Sequence, residues 1–180
     1  MKKFLTITAL ALGLNGFSQI YIGDKCKITF FSETPLENIE ATNTITKPVY
    51  NATTGDFVIQ AQQNAFIFKS ALMQEHYHEN YMESEKFPYA TFKGKVLESI
   101  DCTKDGVNNV MMSGTLTMHG VEMPRTMKGT ITIKQGRIIM DSDFEVKVID
   151  HKIKVPKLYR KKIAEIIKVN VHAELILFKK

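Results

Sequence analysis

The residues best suited to chemistry stand between Ser70 and Gly94. His76 and His78 lie two apart, with Glu75, Glu79 and Glu83 around them. Such groups could ligate a metal and serve a metal-dependent hydrolase. Their spacing argues against it. On a helix, residues two apart point about 200° apart round the axis, whereas a helical zinc pair uses i and i+4, as in H-E-x-x-H. His76 has Asn80 at that spacing, and an asparagine amide is a poor zinc ligand. No metal site is assigned, and the pair reads as a solvated face. His119, beside Gly120, has no nucleophile in a recognisable motif near it, neither G-x-S-x-G nor a Cys-His signature. Its expected role is structural, one imidazole nitrogen bonded to turn backbone. Asp141, Asp143 and Glu145 share the outer face of one strand. No catalytic residue is assigned, and the chain is not expected to be an enzyme.

The elements that position these residues are mostly strands, in which apolar and polar residues alternate. Cys26, Ile28 and Phe30 alternate with Lys25, Lys27 and Thr29 in a strand over Tyr21 to Phe31. Past Pro35, Ile39, Ala41, Asn43 and Ile45 predict a threonine-rich second strand, and Thr53 to Asp56 a turn. Phe57, Ile59 and Ala61, then Phe66 and Phe68, predict a third strand bent at Gln63-Asn64. Ser70 then caps a predicted helix of about ten residues. It is a candidate lid carrying Leu72, Met73, Tyr77 and Met82, and Pro88 ends any helix there.

Alternation resumes at Phe92, Gly94, Val96 and Ile100, and again at Val110, Met112, Gly114, Leu116 and Met118. His119 to Pro124 reads as a connection. Met127, Gly129, Ile131 and Ile133 give a sixth strand; Ile138, Met140, Phe144, Val146 and Val148 a seventh. From Asp150 to Glu165 the rhythm breaks, with Leu158 to Ala164 as a short helix or folded loop after Pro156. Ile167, Val169, Val171, Ala173, Leu175 and Leu177 complete an eighth strand. Eight antiparallel strands with one apolar face each can close into a barrel, which removes exposed edges. The fold class is all-β: an eight-stranded antiparallel barrel with one or two short helices in its connections.

A barrel of eight strands is just wide enough to be filled by side chains or to hold one small ligand. The residues placed to line such an interior are Phe57, Ile59, Phe66 and Phe68 of the third strand and Phe92 of the fourth. Met112, Leu116 and Met118, then Met127 and Ile131, continue the wall; Met140, Phe144, Val171 and Leu175 complete it. Methionine adapts to irregular shapes, so four inward methionines suit a flexible apolar ligand as well as a gap-filled core. Two readings stay open: a hollow binding barrel, and a filled barrel acting as an interaction or structural module. The run Lys152, Lys154, Lys157, Arg160, Lys161 and Lys162 reads as a solvated loop or as a landing patch for anionic head groups. In the second case Lys157, Arg160 and Lys161 are the candidate contacts, in transient touch with a membrane surface.

Residues 1–18 do not belong to this pattern. Lys2 and Lys3 precede an apolar stretch from Phe4 to Leu14, too short to span a bilayer, and Gly16 and Ser18 are small residues placed for cleavage before Gln19. They predict a signal peptide, export to the periplasm or beyond, and one domain over residues 19–180. Loss of two lysines lowers the formal charge from +5 to +3, too mild a balance to suggest nucleic acid. Cys26 and Cys102 either pair, as an exported protein permits, or lie buried as small hydrophobes.

Gly114-Thr-Leu-Thr-Met-His-Gly-Val121 with Pro124 resembles the G-x-L-T-[IM]-H-G-V-x-x-P signature of the YceI-like family. The lid followed by Phe87-Pro88-Tyr89-Ala90-Thr91-Phe92 resembles that family's helix and following strand. The resemblance runs from about Ile28 to Leu177. It implies a periplasmic lipocalin-like barrel that encloses a polyisoprenoid chain, with no catalytic residues and no cofactor beyond that lipid. The family's Arg-Asp pair is replaced here by Leu72-Met73-Gln74-Glu75-His76, and its Gly-x-Phe by Thr44-Ile45-Thr46-Lys47-Pro48.

Overall fold

A computed structural model describes residues 19–179; the predicted leader, residues 1–18, lies outside them. The strand segments are β1 (Ile20–Glu33), β2 (Asn38–Asn43), β3 (Val49–Asn51), β4 (Asp56–Gln62), β5 (Ile67–Phe68), β6 (Tyr89–Val96), β7 (Gly106–Met118), β8 (Val121–Lys134), β9 (Arg137–Lys147) and β10 (Ile166–Leu177). All pairings are antiparallel, and β10 pairs back with β1 to close the sheet. β2 and β3 lie end to end along β1, facing Ile28–Glu33 and Ile20–Ile22 respectively. β4 pairs with β3 and β5 with β2, so they too form one broken strand. The ten segments thus occupy eight barrel positions, and closure pairs the long strands on both sides, leaving only the two-residue β5 with a single strand neighbour among the described residues.

The breaks have local causes. Asn43 ends β2 because its Oδ1 accepts from the Ile45 backbone N–H at 3.1 Å and from Thr46 Oγ1 at 3.1 Å. This captured turn reverses the alternation. Ile45, expected inward, is 60% exposed and Thr46 is buried in its place. Pro48 then packs against β1 at Gly23, where an added Cβ would stand 2.5 Å from the Pro48 ring. Only a glycine permits that approach, and the β1–β10 register shifts beside it. The bend expected at Gln63-Asn64 is a 3-10 turn over Gln63–Ala65.

Two further expectations change, while the capped helix of about ten residues is present. The connection between β7 and β8 is not His119 to Pro124 but the two residues His119 and Gly120, with φ of 52° and 72°. Such a turn matches the strand twist, and Val121 to Pro124 belong to β8. β6 stops at Val96, leaving Leu97 60% exposed, and Leu177 is likewise exposed. The helix runs as α1 (Ala71–His76) and widens into a π-helical turn over Tyr77–Tyr81. It ends well before Pro88. Ser70 Oγ caps it, accepting from the Met73 N–H at 3.4 Å.

One half of the barrel is solid. Tyr21, Tyr50, Val96, Cys102, Ile133 and Ile138 fill the end that holds the β8–β9 turn, all nearly inaccessible. Cys26 and Cys102 are buried and unpaired. Burial pushes the Cys26 thiol up to about 11, so it is protonated at neutral pH. The other half is not filled.

Candidate functional site

Above the solid end lies a cavity of about 640 Å³, within the range of about 300–1,000 Å³ typical of small-molecule sites. Alternation puts Phe57 and Ile59 of β4, Phe92 of β6, and Met112, Leu116 and Met118 of β7 on its wall. Phe66 and Phe68, Met127 of β8, Met140 and Phe144 of β9, and Val171 of β10 complete the predicted set that faces it. Ile131 and Leu175 do not face it. Both are 0% exposed and packed within the solid half, below the cavity floor. Leu72, Met73, Tyr77 and Met82 of the helical segment line its upper side.

The lid is held by its aromatic face. Tyr77 stacks on Phe30 at 5.4 Å between ring centroids, with Phe68 at 5.0 Å and Phe66 at 6.0 Å. Offset and edge arrangements of this kind add to simple burial. The Tyr77 hydroxyl donates to Gln63 Oε1, and Gln63 is 1% exposed. Burial drives the Tyr77 phenol far above the usual range, so it donates at any physiological pH. Gln74 Oε1 accepts from the Phe68 N–H at 3.1 Å and ties the helix to β5.

Past the helix, the chain turns through Glu83, whose φ is 45°. Its carboxylate meets His119 Nε2 at 2.8 Å, while His119 Nδ1 lies 3.1 Å from the His151 carbonyl oxygen. His119 was expected to bond its own turn. Instead its ring joins two segments that border the mouth, and the Phe87 ring packs on it at 4.6 Å. Gly120 leaves room for that ring, since a Cβ there would stand 2.6 Å from Phe87. His151 is 0% exposed, with Nδ1 3.3 Å from both the Met118 and Val121 carbonyl oxygens. Burial lowers its pKa against the opposing pull of those two carbonyls.

The second border of the mouth is the segment from Val148 to Glu165. Val148, Ile153, Val155 and Ile163 turn inward onto the cavity, with Tyr159 and Lys162 at its edge. Of these, sequence reading placed only Val148 on an inward face and missed the rest, although Ile153 and Val155 alternate with Lys152 and Lys154 and so carried a readable pattern. Lys157, Arg160 and Lys161 do not line the cavity; they project into solvent beside it. Lys162 Nζ meets Glu37 Oε2 at 3.6 Å, and the Ala164 N–H donates to Ser32 Oγ at 2.9 Å, which seats the segment against the β1–β2 turn. His76 lies at the cavity edge and His78 Nδ1 is 3.0 Å from Ser84 Oγ. Among the described residues no three His, Cys, Asp or Glu side chains are grouped to hold a metal ion.

Residues 28–175 match the model of the YceI-like domain. Among solved structures, a polyisoprenoid-binding domain from Saccharophagus degradans superposes with a TM-score of 0.77 at 13% identity, over 90% of this chain and 100% of that one. Burkholderia cenocepacia BcnA gives 0.64 at 13% identity, over 83% and 95%. A Campylobacter jejuni YceI protein gives 0.56 at 15% identity, over 100% and 91%. At these identities the likeness is one of fold. A comparison with curated protein sequences finds no match.

Proposed function

The chain belongs to the YceI-like domain family, and from that premise we propose that it is a binding protein whose barrel encloses an apolar, chain-like lipid of the polyisoprenoid type. The observation that carries this reading is the apolar cavity of about 640 Å³ in the open half of the barrel. At roughly 30 Å³ for each liquid-packed non-hydrogen atom, the share of one water, that volume holds about 20 chain atoms, or about four five-carbon units. The wall supports a flexible hydrocarbon through its four methionines, which re-pack around irregular shapes. The polyisoprenoid-binding domain of similar fold supports the ligand class. The reading is of a carrier and not a catalyst: the lid phenol is engaged with Gln63 and the buried thiols are protonated. We further propose export to the periplasm or beyond, resting on the pattern of residues 1–18.

Titration with prenyl alcohols of increasing length tests the ligand. At about 0.3 kcal/mol for each buried atom, each five-carbon unit adds about 1.5 kcal/mol, a roughly tenfold gain in affinity. Affinity should climb in such steps up to about 20 carbons and then level off as the chain leaves the mouth. No binding, or binding independent of length, would contradict the proposal.

A further inference from the structure

We infer that the loop from Pro156 to Lys162 is a docking surface for an anionic bilayer, which would present the cavity mouth to the head-group layer. The inference rests on the carrier reading for its purpose, though not for its test. Between Asp150 and Glu165 the chain carries Lys152, Lys154, Lys157, Arg160, Lys161 and Lys162 and no acidic residue. Leu158 stands in the middle of that run and is 80% exposed, the highest value among the large hydrophobic side chains described.

That exposure is built into the backbone. The Tyr159 N–H donates to the Pro156 carbonyl at 2.9 Å, and the N–H groups of Lys162 and Ile163 donate to the Tyr159 carbonyl at 2.9 and 3.0 Å. The resulting turn over Lys157–Tyr159 aims Leu158 outward while Tyr159 stays at the cavity edge. Lys162 is paired with Glu37; Lys157, Arg160 and Lys161 have no carboxylate partner among the described residues. A leucine held out among unpaired cations complements an interface that is negative at its surface and apolar just beneath. The opposite border of the mouth carries Glu75, Glu79 and Glu85 on and after the helix. Charge therefore selects the loop side as the docking edge.

Flotation with vesicles tests this, using the full chain after any leader is removed. The vesicles are phosphatidylcholine alone, or phosphatidylcholine with about a third phosphatidylglycerol. The intact protein should float with the anionic vesicles at low salt, ignore the neutral ones, and release as salt rises. Each Lys or Arg near an anionic surface is worth roughly fivefold in binding. Lys157→Gln with Arg160→Gln and Lys161→Gln should therefore weaken it about 100-fold. Leu158→Ser should weaken it at least tenfold. Lys93→Gln with Lys95→Gln, on the outer face of β6, should change little. The inference is overturned if the intact protein ignores anionic vesicles at low salt, or if the loop variants still bind while melting like the parent. Lipid content of the same preparations separates the two proposals. Vesicle binding by a barrel that never holds lipid keeps the docking inference and refutes the carrier; lipid-loaded barrels that ignore vesicles do the reverse.

Discussion

Val169 and Val171 follow one another on the inner face of β10, and both touch the cavity while remaining partly accessible. Replacing each with Phe adds a net eight non-hydrogen atoms in total. At roughly 30 Å³ each, that is about 240 Å³, more than a third of the cavity's 640 Å³. A ligand deprived of about eight buried atoms at about 0.3 kcal/mol each loses about 2.4 kcal/mol, roughly 50-fold in affinity. The ligand-free protein should not suffer, because the rings enter empty apolar space. Its stability should hold or rise by about 1 kcal/mol, a Tm shift of about 2–4 °C for a domain of this size. A barrel filled by its own side chains responds with the opposite sign, since overpacking costs about 1–3 kcal/mol at each site. Calorimetric melting of the stripped double variant and titration with a prenyl alcohol of about 20 carbons read the two effects separately. A fall in Tm of about 4 °C or more, with affinity unchanged, would refute the reasoning.

Tyr77→Phe removes the hydroxyl that serves buried Gln63 and should cost about 1–3 kcal/mol, seen as a lower urea midpoint; no change would show the lid bond to be idle. His151 has a folded-state pKa below its ordinary value of 6.5, so as pH falls the unfolded chain takes up the proton first. Stability should be full above that ordinary value and fall as pH drops from about 6.5 toward the folded pKa. His151→Asn should flatten the slope, with a remainder from His78, whose pKa burial also lowers. Urea titrations at pH 8 and pH 6 decide it, and an unchanged slope in the variant would be the contrary result. Cys26 and Cys102 should both react with a thiol reagent only after unfolding, as buried unpaired groups do; an intact mass two hydrogens light would show a disulfide.

The barrel was legible because its strands keep one apolar face for most of their length, and period two reports that face directly. Where side chains take over the backbone, the pattern misleads. Asn43 captures the Ile45 N–H and turns Ile45 outward, though the alternation of types continues through it. Alternation also says nothing of height along the barrel axis, which depends on stagger between strands. Ile131 and Leu175 share faces with Met127 and Val171 but lie two strand steps lower, in the core with Ile133 and Ile138. The mouth was least legible. His119 finds its partners at Glu83 and His151, each more than thirty residues away in sequence, and no local spacing announces contacts of that range. The basic run was visible as charge, and Ile153 and Val155 alternate with lysines inside it, while the inward Ile163 became evident only once the chain closed over the cavity.

Native mass spectrometry of the protein taken from its own cell envelope, without detergent exchange, tests the hollow carrier most directly. The predicted spectrum shows the chain with one added apolar mass, released on activation and identified after extraction as a lipid built from five-carbon units. A spectrum of the bare chain alone, from cells in which such lipids are abundant, would contradict it.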